Sequence, residues 1–185
     1  MKALDDLIKD PRFLEKITQE NLPKLKKIQI FTDFADDTPE NKRILKAVYE
    51  NMSVQHFKAG QIIIKEGDYG ETFYILHEGK VQVTRDTLAG DTLALADLSA
   101  DMNIFFGETA LISDDARTAT VRAVTDCTTI TLDSKKFLEV CDSEPILGYR
   151  VILRLARRMA KTIRDSNSDK TILYEALFSE VEGGM

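Results

Sequence analysis

A chain of 185 residues with 25 Lys and Arg against 31 Asp and Glu carries a formal charge of −6, and 43% of it is hydrophobic. That composition supports a packed core and excludes wholesale disorder, while the acidity argues against a nonspecific nucleic-acid binder, which needs a basic face. No apolar run approaches the roughly 20 residues of a membrane span, and Asp5 and Asp6 interrupt anything resembling a signal-peptide core, so a soluble, cytoplasmic protein of one domain plus an appendage is expected.

Residues 1 to about 52 read as an amino-terminal helical segment. Leu4, Leu7 and Ile8 share one turn-spaced face, and Pro11 and Pro23 cut the zone into short pieces. Thr38 before Pro39 reads as an N-cap with Pro at the first helical position, followed by an apolar stripe of Ile44, Leu45, Val48, Tyr49 and Met52. This zone is expected to be a helical lid.

From residue 53 to 133 the period shortens. Gln61 to Lys65, Phe73 to Leu76, Val81 to Arg85, Leu93 to Leu98 and Thr128 to Leu132 are strand-like runs punctuated by Gly60, Gly67, Gly70, Gly79 and Gly90. An antiparallel β-barrel or jelly roll is expected, with Asp86 to Asp91 as a longer hairpin loop. With helices on both flanks, the fold class is α+β.

Residues 134 to 185 return to helix. Leu147, Val151, Leu155, Met159 and Ile163 recur every four residues, widened by Ile152 and Ala156. Ile146, Tyr149 and Leu153 form a second apolar face, so the helix is expected to touch two surfaces. A polar stretch, Asp165 to Lys170, weakens the pattern before Ile172, Leu173, Ala176, Leu177 and Val181 resume it toward Gly183. Arg150, Arg154, Arg157, Arg158, Lys161 and Arg164 place six cations here with no acid among them, and the Arg150, Arg154, Arg158 stripe needs something anionic to offset its self-repulsion. Two readings fit: contacts to the acidic amino-terminal zone, or closure of Arg158 and its neighbours over a bound ligand.

Enzyme chemistry finds no seat. Cys127 and Cys141 match no metal-ligand or disulfide pattern and read as small buried hydrophobes, and His56 and His77 each stand without a second ligand. No P-loop, dinucleotide fingerprint, HExxH or Ser/His/Asp set is visible. No catalytic residue, metal or cofactor is therefore expected.

The most informative segment is FFGETALISDDARTATV, residues 105 to 121. Gly107 permits close backbone approach, and the ETALI after it can open a short helix whose free N–H groups face an anion. Ten residues on, Arg117 offers a permanently charged planar fork suited to phosphate oxygens. Glu108 can accept a hydrogen bond from a ribose hydroxyl. A sugar phosphate needs such a set, although a surface turn with a Glu–Arg salt bridge fits the same residues.

This segment resembles the phosphate-binding cassette of the cyclic-nucleotide-binding domain family, found in catabolite-activator-type regulators, protein kinase regulatory subunits and nucleotide-gated channels. Upstream, KAGQIIIKEGDYGETFYILHEGKVQV, residues 58 to 83, is similar to that family's first strands, and the likeness covers roughly residues 53 to 165. The resemblance implies that Glu108 holds the ribose 2′-hydroxyl and Arg117 the cyclic phosphate of cAMP or cGMP. It further implies that the backbone of Gly107, Glu108, Thr109 and Ala110 and of Thr118 and Ala119 completes the cradle, that Val83 and Phe106 line the base pocket, and that Arg158 closes over the base. The Thr118 hydroxyl stands where similar domains contact the 2-amino group of a syn guanine. Two departures are Asn103, where the family often has Gly, and Ala116, where Pro often precedes the Arg; Asn tolerates the left-handed conformation and Ala loses only stiffness.

The expected function is a stand-alone cyclic-nucleotide receptor that moves its carboxy-terminal helix against an unidentified protein effector, with a homodimer through that helix as one arrangement. The 21 residues after Arg164 hold five acids and one Lys, too short and of the wrong sign for a DNA reader, and no kinase or channel signature is present. The alternative is a structural or interaction domain that keeps the fold without binding nucleotide.

Overall fold

The computed structural model describes residues 25–183; the expectations for Leu4, Leu7, Ile8, Pro11 and Pro23 lie outside them. Two four-stranded antiparallel sheets form the centre. The strands are β1 (Met52–Phe57), β2 (Ile62–Ile64), β3 (Thr72–Glu78), β4 (Lys80–Asp86), β5 (Thr92–Ser99), β6 (Phe105–Phe106), β7 (Thr120–Ala123) and β8 (Cys127–Asp133). One sheet runs β1-β8-β3-β6 and the other β2-β7-β4-β5. This is the expected jelly roll, flanked at both chain ends by helices: a 3-10 helix (Gln29–Phe34), α1 (Pro39–Glu50), α2 (Ser134–Ser143) and α3 (Pro145–Gly183).

The first sheet works on both faces, and the period of two in a strand decides what goes where. In β3, Phe73 and Ile75 point toward the helices while Leu76 points toward the second sheet. The two-residue β6 does the same: Phe105 joins the helix-side core and Phe106 the inter-sheet core. Pairing of Tyr74 with Phe106 and of Ile75 with Phe105 fixes this register. The helix-side core collects Phe31 and Phe34 from the 3-10 helix, Leu45 and Val48 from α1, Phe137 from α2, and Leu147, Val151 and Leu155 from α3. At about 1.5–3 kcal/mol for each large apolar side chain, that burial is what holds all four helical pieces to one sheet.

Local chemistry sets the helix starts. Thr38 caps α1, its Oγ1 accepting the Asn41 N–H at 3.1 Å with Pro39 next. Asp133 caps α2, accepting from Lys135 and Lys136 N–H. Asn103 takes the left-handed conformation, φ 50°, closing the 3-10 turn Ala100–Met102.

Several expectations are corrected. Met52 does not extend the α1 stripe; the helix ends at Glu50 and Met52 opens β1, half-buried on the same core. Strands β1, β6 and β7 were not among the expected runs. The polar stretch Asp165 to Lys170 does not interrupt α3, which is one helix of 39 residues. Only its first turns are buried: Met159, Ile163, Ile152 and Ala156 lie exposed instead of widening the core face. Ile146 and Tyr149 are exposed as well and Leu153 is half-buried, so the second apolar face is largely uncovered among the described residues, while α3 meets α2, the 3-10 helix and, through Arg158, the cassette. Cys127 is buried as expected; Cys141 is half-buried, and burial pushes its thiol up to about 11.

Candidate functional site: the turn from Gly107 to Ala119

Gly107 sits at φ +72° between β6 and a 3-10 helix, Glu108–Leu111. A Cβ there would lie 2.9 Å from Arg117 Nη1 and 3.0 Å from Ile64 Cδ1, so both the angle and the space require glycine. The short helix is the one expected from ETALI, with Ala110 and Leu111 buried and Thr109 turned outward. By helix geometry its first N–H groups have no partner inside it.

Arg117 is the centre of the arrangement. Its backbone is clamped to the loop after β2: the Arg117 N–H donates to Asp68 O at 2.8 Å, and the Gly67 N–H donates to Arg117 O at 2.9 Å. Its guanidinium then runs back across the turn, Nη1 donating to Gly107 O at 3.1 Å and Nη2 to Thr72 O at 2.6 Å. Gly70 makes room, since a Cβ there would stand 3.2 Å from Nη2. The side chain is only 8% exposed, yet no carboxylate ion-pairs with it among the described residues. Burial pushes its pKa below the ordinary value, opposed by Tyr74 and by the charge of Glu108; a guanidinium stays charged regardless. The site is therefore a buried cation tied to two neutral carbonyls.

Glu108 does not close a salt bridge with Arg117. Its Oε1 instead lies 3.5 Å from Arg158 Nη2, and the Arg158 guanidinium stands 4.4 Å from the centroid of the Phe105 ring. The other two arginines of the α3 stripe turn away to the 3-10 helix. Arg154 is bidentate on Asp33, with Nε donating to Oδ2 at 2.8 Å and Nη2 to Oδ1. Arg150 donates to the Asp33 carbonyl at 3.0 Å and lies over Phe34. The expected contact to the amino-terminal zone is thus made by Arg150 and Arg154, while Arg158 alone of the three lies on the cassette.

The residues expected around the base are placed as follows. Phe106 is buried, its ring stacked on Tyr74 at 5.3 Å and 7°, and Val83 is half-buried against the same inter-sheet core. Thr118 is exposed and Ala119 half-buried. Tyr74, Thr72 and Asp33 were not singled out from sequence, and Gly70 was read only as a turn. Strand alternation in TFYIL marks Thr72 and Tyr74 as one face, the only local signal that could have found them. Among the described residues no cluster of His, Cys, Asp and Glu could hold a metal, and no helix is long and apolar enough to cross a membrane.

The sequence model of the cyclic nucleotide-binding domain family matches residues 54–144. This stretch belongs to that family. The chain is 33% identical over 124 residues to the cAMP-dependent protein kinase regulatory subunit of Dictyostelium discoideum, covering 63% of this chain and 37% of that protein. To human cGMP-dependent protein kinase 2 it is 38% identical over 100 residues, 54% of this chain and 13% of the kinase. It therefore spans well under half the length of either relative. The crystal structure of Thermus thermophilus catabolite activator protein superposes with a TM-score of 0.62 at 25% identity, over 72% of this chain and 61% of that one.

Proposed function

We propose that the domain is a cyclic-nucleotide receptor whose cassette takes the cyclic phosphate on Arg117 and the ribose hydroxyl on Glu108. The observation that carries this reading is the buried guanidinium with no counter-ion. Desolvating a cation costs several kcal/mol, which neutral carbonyls offset only in part. A compact anion arriving at the remaining N–H groups of Arg117 and at the turn after Gly107 completes the set. Relatives described as cAMP-dependent and cGMP-dependent supply the class of anion.

The output runs through α3. Without ligand, Arg158 occupies Glu108 and lies on Phe105. A ribose hydroxyl draws on the same carboxylate lone pairs, so the nucleotide competes for Glu108 and frees the guanidinium to turn toward the base. Binding can then shift α3 by as much as the two arrangements differ in affinity. The exposed side of α3 is the surface offered to a protein partner, an effector or a second copy of the chain, in a cytoplasmic regulatory protein.

Isothermal titration of the full chain with cAMP and with cGMP tests the receptor reading. Saturable binding of either supports it; no heat with both at millimolar ligand returns the domain to an interaction module. Both nucleotides are expected to bind.

A further inference from the structure

Strand β5 (Thr92–Ser99) stands at the edge of its sheet, with β4 its one strand neighbour among the described residues. An edge strand turns alternate backbone N–H and C=O groups to its open side, where they form a template for another strand. Among the described residues no backbone hydrogen bond outside the β4 ladder reaches residues 92–98, so that side is not taken up. The edge is also apolar. Leu93 and Leu95 are 55% and 51% exposed, and Leu88 at the hairpin tip is fully exposed. Edges are commonly kept from pairing by Lys, Pro or a bulge. β5 has the bulge, Leu95 being the extra residue opposite Val83 and Thr84, but neither Lys nor Pro.

Charge says what kind of strand fits. Residues 86–101 hold Asp86, Asp91, Asp97 and Asp101 and not one Lys or Arg. The cation just before them, Arg85, is held by Glu66 at 3.4 Å. Asp97 instead accepts from the Gln82 amide at 3.0 Å and Asp86 from the Thr92 hydroxyl at 3.2 Å, both neutral donors. Two copies of β5 set edge to edge would bring both sets of aspartates together without a cation, which disfavours self-pairing. A strand bearing positive charge meets no such penalty and is drawn to the hairpin.

We propose that the open edge of β5 is a docking site for an extended segment of a partner protein in which Lys or Arg alternates with apolar residues, added to this sheet as a further strand. Main-chain hydrogen bonds supply the affinity. Alternate side chains supply the choice, apolar ones beside Leu93 and Leu95 and cations beside the aspartates. The proposal rests neither on nucleotide binding nor on α3.

The probe is an acetylated, amidated and fluorescently labelled peptide of alternating Lys and Val, about eight residues long to match β5, titrated with the full chain and read by anisotropy. Saturable binding with a Kd on the order of 10–100 µM is expected, and hydrogen exchange at residues 92–98 should slow in the complex. Methylating the peptide nitrogens along one edge keeps every charge but removes the ladder donors, and should weaken binding about 10-fold or more. A Glu-Val peptide should not bind. Asp91→Lys with Asp97→Lys should cost about 10-fold, and Leu93→Lys with Leu95→Lys, which changes only exposed side chains, should abolish docking. No binding at about 1 mM chain, equal binding of the methylated or the Glu-Val peptide, or protection that falls outside β5 each overturns the proposal, the last assigning the peptide to another acidic surface.

Discussion

Two arginines of this domain sit in opposite electrostatic circumstances. Arg154 on α3 holds Asp33 with two hydrogen bonds, and that pairing pushes its own pKa up and the Asp33 carboxyl down. Arg117 in the cassette is more buried, meets only the carbonyls of Gly107 and Thr72, and has its pKa pushed down. The first is complete within the chain and ties α3 to the 3-10 helix. The second has no counter-ion among the described residues, which is why we propose it for the phosphate of a ligand. Partner chemistry, rather than burial alone, separates an arginine that holds the fold from one proposed to take an anion.

Replacing each arginine is the sharpest way to break that contrast. Arg117→Met should cost on the order of 10²-fold in cyclic-nucleotide affinity, because charge-assisted bonds to a desolvated phosphate are lost. It should leave the ligand-free chain within about 1 kcal/mol of its original stability, since a buried cation without a counter-ion is no net gain to the fold. Calorimetry gives the first number and urea unfolding the second. Unchanged affinity would remove Arg117 from the site.

Asp33→Asn should show the reverse pattern: a loss of up to about 1 kcal/mol in stability for a partly exposed bidentate pair, with nucleotide affinity little changed. The pH dependence follows from the lowered Asp33 pKa. The stabilisation is fully present above the ordinary carboxylate value of about 3.9 and fades as pH falls through the lower folded value. Unfolding curves of the two proteins should therefore differ at pH 7 and converge as pH falls below the ordinary carboxylate value of about 3.9. A difference that persists at the acid end assigns the effect to something other than this carboxylate.

Legibility in the sequence follows the range of the interaction. The Gly107 turn, the short helix after it and the arrival of Arg117 ten residues later are near neighbours in the chain, and their types announced them. So did the Thr38 cap and the left-handed Asn103. The five expected strand runs are all strands, because alternation and glycine punctuation are local. Strand β6 was hidden by being two residues long, and β1 because Met52 continues the α1 period by chance. The division of the α3 stripe was out of reach: Asp33 lies 121 residues from Arg154, and nothing local says which arginine it takes. Periodicity likewise found a face through Met159 and Ile163 without saying whether anything in the chain covers it.

The third arginine of the stripe stands between the two cases. Arg158 has a carboxylate, Glu108, but at 3.5 Å and with both side chains partly exposed, and it also rests on Phe105. Such contacts are worth no more than about 1 kcal/mol each. Arg158→Ala should thus move affinity only a few-fold, while hydrogen exchange over residues 150–164 should stop responding to saturating cAMP. Undiminished response in the variant places the link between cassette and α3 elsewhere.

The smallest expected effect distinguishes two ligands and not two states of the fold. Thr118 follows Arg117 directly, is exposed, and carries a hydroxyl. A hydroxyl can exchange a hydrogen bond with an exocyclic amine on a purine, and only guanine has one at the 2-position. Loss of one neutral hydrogen bond costs roughly 0.5–1.5 kcal/mol, or a few-fold to about ten-fold in affinity. Thr118→Ala should therefore weaken cGMP by that amount and leave cAMP nearly unchanged, raising the preference for cAMP without touching the phosphate contact. Because Arg117 precedes this position, a backbone disturbance would weaken both ligands together, and Thr118→Ser, which keeps the hydroxyl, should restore cGMP alone. Equal losses with no rescue by serine would take Thr118 out of base selection while leaving the role of Arg117 intact.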